Sequence, residues 1–237
     1  MIHVVIPAAG NGSRFVEAGY PPKPHVLVDG VPMLRRVVEN VRPTAPNFVT
    51  VVTMEGFAPP YVGGDVGFRF LKDATSGAVE TILQAGLTVT GESFEDGWAL
   101  HGDPPLLIAN CDQLLGFPVD KLIQDDVAGV IATFTSDSPA HSYVQLDEHG
   151  IVVDVAEKKV ISDQAVAGVY YFRRARPFHM AAQSVIAHER LVLGEYYVST
   201  VLAEMIERGY PMRTVHGDVH TLGTPQELEA YHARGRQ

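Results

Sequence analysis

The sequence predicts an α/β protein, a single Rossmann-like three-layer α/β/α domain around a mixed, mostly parallel central sheet. Three observations carry that reading. Short apolar runs alternate with segments of helical periodicity as far as about residue 125. The first run, Ile2–Pro7, is apolar at nearly every position, as in a strand covered on both faces, and it opens directly onto a glycine loop. Beyond residue 125 the texture shifts to strand pairs joined by tight turns, which makes the sheet mixed.

The elements follow in order. After Ile2–Pro7, the segment Pro32–Val41 places Met33, Leu34, Val37, Val38 and Val41 on one face, which is helical spacing. Phe48–Thr53 reads as a second buried strand and Phe68–Leu71 as a short third, followed by a helix from about Gly77 to Val89. Leu106–Ala109 is a further buried strand that stops at Asn110-Cys111-Asp112, and right-handed crossovers are expected between these parallel strands. Val127–Thr135 and Tyr143–Leu146 then read as strands. Ile151–Ala156 pairs with the latter across Asp147-Glu148-His149-Gly150, and Gly168–Phe172 is one more strand. Helices are expected over Ala175–His188 and Val198–Arg208, the second stopped by Gly209 and Pro211. Met212–His216 is a late strand. Pro225–Arg234 is a closing helix, with Thr224 as its cap and Pro225 in its first turn.

Composition narrows the function. A chain of 237 residues can bury a sizeable core, and no repeat or linker divides it. No apolar run approaches the ~20 residues of a membrane helix, and the opening MIHVVIPAAG lacks the basic start of a secretory leader. The one cysteine, Cys111, excludes an internal disulfide framework and a cysteine-based zinc site, so a cytoplasmic protein is expected. A net charge of −10 disfavours nucleic acid as a partner, though a local basic pocket could still take one nucleotide.

The strongest local signal is Ala8-Ala9-Gly10-Asn11-Gly12-Ser13-Arg14, placed straight after the first strand. Glycines there let the backbone come close to a ligand and aim its N–H groups at phosphate oxygens. The loop is not a dinucleotide fingerprint, because Phe15 stands where the third glycine would be, and no Gly-Lys-Ser/Thr makes it a P-loop. Instead it is followed by two cations, Arg14 and then Lys23 within Pro21-Pro22-Lys23-Pro24, a pairing suited to a departing pyrophosphate. A tight turn with two solvated charges is the plainer alternative. Asp112, at the C-terminal end of a buried strand, stands where open α/β sheets hold ligands, and a carboxylate there suits Mg²⁺. It could equally cap the next turn. Cys111 reads as a small buried apolar residue.

Ala-Ala-Gly-x-Gly-x-Arg followed by Lys-Pro resembles the signature of the sugar-phosphate nucleotidyltransferases, and further segments match in order along nearly the whole chain. Thr75-Ser76-Gly77-Ala78-Val79-Glu80-Thr81 is similar to the segment bordering the nucleobase, and Asn110-Cys111-Asp112-Gln113 to the Mg²⁺-binding strand end. Glu157-Lys158, the strand around Gly168, and Glu195-Tyr196-Tyr197-Val198-Ser199 resemble the segments near the acceptor. Leu222-Gly223-Thr224-Pro225-Gln226-Glu227-Leu228 resembles a late motif. The resemblance implies the nucleotide-diphospho-sugar transferase type of fold. Residues to about 125 would bind the nucleotide, and those from about 126 to 237 the acceptor. It implies a nucleotide site of Ala8, Ala9, Gly10, Asn11, Gly12, Ser13, Arg14, Lys23, Thr75, Gly77, Ala78 and Asp112. Catalysis would fall to Arg14, Lys23 and Asp112 with Mg²⁺. Acceptor contacts would come from Glu157, Lys158, Gly168 and Glu195.

The implied partners are an NTP, with CTP, UTP or dTTP favoured by the small base segment, and a phosphorylated small molecule. A sugar 1-phosphate feeding cell-surface polysaccharide synthesis comes first. A phosphorylated alcohol or amino-acid derivative taking a cytidylyl group is the alternative. A nucleotide-sugar-dependent glycosyltransferase and a lapsed nucleotide-binding protein are the remaining readings. The first lacks its usual Asp-x-Asp at Asp112-Gln113-Leu114. One departure stands out. Relatives carry a second metal-binding Asp two residues before the Gly-Thr-Pro, and here that position is Thr221. In His216-Gly217-Asp218-Val219-His220, an extended chain would put His216, Asp218 and His220 on one face. Asp218 is therefore the candidate substitute metal ligand. A substrate contact or plain polar residues facing a cleft are the other options. The sequence leaves the oligomeric state open, a homodimer being one option.

Overall fold

A computed structural model describes residues 1–10, 12–60, 62–63, 65–86 and 103–234. In chain order the elements are β1 (Ile2–Pro7), α1 (Ser13–Glu17), β2 (Leu27–Val28), β3 (Val31–Pro32), α2 (Met33–Asn40), β4 (Asn47–Met54), β5 (Val66–Leu71), α3 (Ala78–Leu83), β6 (Leu106–Ala109) and β7 (Gln113–Leu115). There follow β8 (Gly129–Thr135), β9 (Tyr143–Leu146), β10 (Val152–Ala156), β11 (Gln164–Phe172), α4 (Ala175–Ala187), α5 (Val198–Glu207), β12 (Met212–His216), β13 (Val219–Thr221) and α6 (Pro225–Arg234).

Nine strands of the described residues form one mixed sheet. Its first half, β6-β1-β4-β5, is parallel throughout, with β1 between β4 and β6. Its second half is organised by β11. That strand runs antiparallel to β6 along Val169–Phe172 and to β8 along most of its length, and meets β9 at Ala165. β10 continues from β9, and β12 lies parallel to β8.

Alternation along the buried strands explains the layers. Val4 and Ile6 of β1 and Leu107 and Ala109 of β6 face one core, closed by Phe15 of α1, Met33, Leu34, Val37 and Val38 of α2, and Leu228 of α6. Val5, Leu106 and Ile108 face the other, closed by Val79 and Ile82 of α3, Phe178 and Val185 of α4, and Val201, Leu202 and Met205 of α5. A sheet apolar on both faces and covered on both is the expected three-layer arrangement. Among the described residues no helix is long and apolar enough to cross a membrane.

Element boundaries differ from expectation where packing intervenes. β11 starts four residues before the predicted Gly168, because Gln164–Val166 find partners on β8 that period-2 patterning did not require. The strand expected from Val127 starts at Gly129. The short helix α1 was not anticipated. It forms because Phe15, fully buried and edge-on to Tyr20 at 5.7 Å, pins the loop to the core. The helix expected over 77–89 is seen from Ala78 to Leu83, and its last positions lie outside the described residues.

One polar residue interrupts the β1 core. The His3 imidazole lies 2.8 Å from the Thr50 hydroxyl, and burial lowers its pKa from 6.5 to about 4. Between those values the unfolded chain binds a proton that the folded chain refuses, so acidification favours unfolding. The wild type should lose about 3 kcal/mol between pH 6.5 and pH 4 through this group. Urea titrations at the two pH values should show a correspondingly smaller loss in His3→Gln. An equal loss in both proteins would mean that His3 is protonated in the folded state.

Candidate functional site

Three chain segments converge past the C-terminal ends of β1 and β6. The first is the glycine loop. Gly12 caps α1 in the left-handed conformation (φ 57°), and a Cβ there would stand 3.1 Å from the Cβ of Lys23. Position 12 therefore has to be glycine both for its backbone angle and to let Lys23 lie against the loop. Ala8 and Ala9 are buried beneath it, while Gly10, Ser13 and Arg14 are exposed. Asn11 lies outside the described residues.

The second segment is Pro21-Pro22-Lys23-Pro24. Prolines fix its φ angles and lead into a 3-10 turn over Lys23–His25, with Pro24 buried, so Lys23 springs from a stiff base. Its ammonium reaches across to Asp112, 2.5 Å from Oδ2, with both side chains about four-fifths buried. Burial opposes the lysine's charge most strongly, but the Asp112 carboxylate and the neighbouring Cys111 together outweigh it, so the Lys23 pKa is raised. Arg14 is near enough to pull the other way. The Cys111 thiol next door is pushed up to about 11, mainly by burial, so at neutral pH it is a protonated thiol and no nucleophile.

The third segment is the end of β6. The Asn110 N–H donates to the Gly168 carbonyl at 2.8 Å, so β11 holds this turn. Gly168 sits in an irregularity of β11, with φ 68°, between the Val166–Thr133 and Tyr170–Ile131 pairings. A Cβ there would fall 2.1 Å from Gln113 Oε1 and 2.4 Å from Asn110 Nδ2. Gly168 thus belongs beside Asp112, as a backbone support for it.

The other acceptor-side candidates form a neighbouring cluster. The Glu157 carboxylate takes hydrogen bonds from the Ser142 and Ser199 hydroxyls, the latter at 2.6 Å. Lys158, at φ 51°, donates to the Tyr197 hydroxyl at 2.7 Å and lies over its ring, and Glu195 is close enough to act on Tyr197 electrostatically. Gly77 adjoins this cluster. A Cβ on it would come 2.7 Å from the Tyr196 backbone N and O, and Tyr196 exchanges backbone hydrogen bonds with Ser76 and Val79. Thr75 closes the turn through the Thr81 hydroxyl at 2.6 Å, with Ala78 opening α3.

Asp218 is not brought to Asp112. The chain breaks between β12 and β13, and β13 pairs Thr221 with Gln113 and Val219 with Leu115. Asp218 then falls beside Gly116, whose N–H bonds its carbonyl, about 10 Å along the strand from Gln113. The continuous extended run expected over 216–220 does not form, because β12 ends on β8 while β13 crosses to β7. His216, Asp218 and His220 do line one cavity of about 420 Å³ with Glu227, but Asp112 is not in its wall. His216 is bonded there to Thr133 and Thr135, and His220 packs edge-on against Tyr231 at 5.0 Å.

Four side chains were given no role of their own in the sequence. Ser142 is a single hydroxyl with no pattern around it, Ser199 only closes the Glu195–Ser199 segment, and His141 is one of ten scattered histidines. His141 rests edge-on against Phe134, within electrostatic reach of Glu157 and Glu227. Glu227 did carry a signal, since Thr224-Pro225-Gln226-Glu227 is a capping-box pattern.

Residues 4–165, more than half of the chain, match the MobA-like NTP transferase domain. The chain belongs to that family. This NTP transferase domain is also 26% identical to the bifunctional protein GlmU of Burkholderia mallei and of Burkholderia pseudomallei, over 98% of its own length and 52% of theirs. It therefore spans about half of those relatives. In fold it is similar to a nucleoside-diphosphate-sugar pyrophosphorylase from Vibrio cholerae, with a TM-score of 0.77 and 21% identity over 98% of this chain and 99% of that one. It is similar also to the inositol-1-phosphate CTP transferase of T. maritima, with a TM-score of 0.71 and 14% identity over 99% of this chain and 95% of the other. The glycine loop and Asp112 of this NTP transferase domain both fall within the matched span.

The crowding at Gly168 gives a stability test. Gly168→Ala should cost about 2–4 kcal/mol, combining backbone strain with overpacking against Asn110 and Gln113. Gly150→Ala, at a similar φ of 74° with nothing within 4 Å, should cost only about 1 kcal/mol. Urea midpoints at unchanged slope measure both, and equal losses would remove the crowding argument.

Proposed function

We propose that this NTP transferase domain joins the nucleotidyl group of an NTP to the phosphate of a small phosphorylated acceptor, a sugar 1-phosphate, releasing pyrophosphate. The observation that carries the reading is the Lys23–Asp112 pair, a fixed cation and a carboxylate at the junction of the glycine loop and the end of β6. The NTP triphosphate lies over Gly10–Arg14, with the base against Ala8–Ala9 and the Gly77–Ala78 turn. The small side chains there favour the pyrimidines CTP, UTP and dTTP. An acceptor phosphate oxygen forms a bond to the α-phosphorus in line, and the bond from that phosphorus to the α–β bridging oxygen breaks. The electron pair leaves with pyrophosphate, whose charge Lys23 and Arg14 neutralise.

The acceptor phosphate is already anionic, so no strong general base is needed and catalysis rests on positioning. Asp112 fits a Mg²⁺ ion, since its carboxylate is a hard oxygen donor that already holds a cation, the Lys23 ammonium. When bound, Mg²⁺ would supply charge neutralisation at the reacting phosphates. Glu157, a carboxylate that takes hydroxyl donors from two serines, suits the hydroxyls of a sugar, with Lys158 and Glu195 at the same wall. The 1–125 and 126–237 halves of one domain would divide the substrates accordingly. A phosphorylated polyol taking a cytidylyl group satisfies the same Glu157 chemistry and is the second acceptor class.

Purified protein with Mg²⁺ should release pyrophosphate from one pairing in a panel of common NTPs against sugar 1-phosphates and phosphorylated polyols. Lys23→Ala and Asp112→Asn should each cut the rate by about 10²–10³ or more while circular dichroism stays unchanged. Full activity in Lys23→Ala would refute the assignment. Nucleotide binding without turnover across the panel would favour a lapsed enzyme.

A further inference from the structure

The carboxylate missing at Thr221 has a stand-in on another element. Thr221 pairs with Gln113 in the small ribbon of β7 and β13, and the next residue, Leu222, donates its N–H to the Asp112 carbonyl at 2.8 Å. This brings Gly223 directly against the Asp112 side chain. A Cβ on Gly223 would lie 3.0 Å from Asp112 Oδ2 and 3.3 Å from Glu227 Oε2. The two carboxylate oxygens share one small space, and they can be no farther apart than those two distances combined. Oxygens bound to one Mg²⁺ stand roughly 3–4 Å from each other, given bonds of about 2.1 Å. A modest side-chain adjustment closes the difference.

We propose that Glu227, from the first turn of α6, is the second protein carboxylate of the divalent-cation site at Asp112. The proposal rests on the cation role given to Asp112 above. Residue 223 has no side chain in the space between the two acids, so a cation there meets both. Glu227 is kept pointing this way by its own helix. Thr224 caps α6, its hydroxyl accepting from the Glu227 N–H at 3.2 Å and donating to Oε2 at 3.1 Å. In the usual capping box the N3 acid reaches back to a backbone N–H. Here it stops at the threonine hydroxyl, which leaves its charge beside Asp112. Mg²⁺ takes one or two carboxylates from a protein, with phosphate and water completing the shell. Among the described residues no group of three or more His, Cys, Asp or Glu is placed to hold a metal. Lys23, now on Asp112, would turn to the departing pyrophosphate.

Capping alone predicts the same geometry, so the test must separate charge from cap. Gln serves a capping box as Glu does, so Glu227→Gln keeps the cap and removes the charge. The whole protein would be titrated with Mn²⁺ alone, and the free ion followed by its EPR signal, for wild type, Asp112→Asn, Glu227→Gln and Asp218→Asn. The expected result is a loss of Mn²⁺ affinity of about tenfold or more in the first two variants, with Asp218→Asn within twofold of wild type. Thermal midpoints should confirm that Glu227→Gln remains folded. Wild-type affinity in Glu227→Gln, beside a weakened Asp112→Asn, would overturn the proposal and leave nucleotidyl transfer at Asp112 standing. Absence of Mn²⁺ uptake by the wild type would overturn the proposal and the cation role of Asp112 together, while pyrophosphate release would still judge the reaction.

Discussion

The site depends on how β11 meets β6. A parallel sheet delivers its strand ends, and the loops that follow them, to one edge, where backbone N–H groups and short side chains can gather round a ligand. In this chain the parallel half ends at β6, and the next strand over, β11, runs the other way. Where the two part company, the Gly168 carbonyl takes the Asn110 N–H. That bond fixes the direction in which the chain leaves β6, and so where the Asp112 carboxylate points. Any side chain at residue 168 would enter the space of Asn110 and Gln113. The bulge therefore joins the parallel half of the sheet, which ends at Asp112, to the half organised by β11.

The Lys23–Asp112 pair has a different standing. A partly buried ion pair is poor evidence for stability, because desolvation consumes most of its Coulombic gain. Its value is in position. The prolines around Lys23 and the missing side chain at Gly12 hold an ammonium against the loop of a chain whose net charge is −10. A triphosphate approaching such a protein is repelled except where cations are concentrated. Lys23 and Arg14 supply that concentration, and the raised pKa of Lys23 keeps its charge well above neutral pH.

The sequence made the layers and the glycine loop readable for a physical reason. Strands such as Ile2–Pro7 and Leu106–Ala109 are buried on both faces, so their apolar runs are continuous, and glycine loops have few other uses at a strand end. The acceptor side was less readable. Glu157 and Lys158 stood out only by resemblance, and the serines that orient Glu157 come from residues 142 and 199, brought together by tertiary packing alone. Asp218 was misplaced because period-2 reasoning assumes one strand, whereas Gly217 and Asp218 are the break where the chain passes from one sheet to another. Glu227 lies inside the late motif that runs from Leu222 to Leu228, but no individual role attached to it there, and a capping-box acid at a helix start has one sufficient structural role already.

The two halves are also joined away from Asp112. Ser76 and Val79 exchange backbone hydrogen bonds with Tyr196, across a contact so close that Gly77 can carry no Cβ. The turn proposed to border the nucleobase is thus bonded to the segment carrying Glu195, Tyr197 and Ser199, which reaches Lys158 and Glu157. These bonds tie the Gly77 turn to the segment over residues 195–199, so a displacement of one moves the other. Coupling of this kind needs no separate switch, because each ligand acts on the position of one shared backbone segment. On the proposed reading, selection of the NTP and selection of the acceptor become one structural problem, shared by residues 75–78 and 195–199.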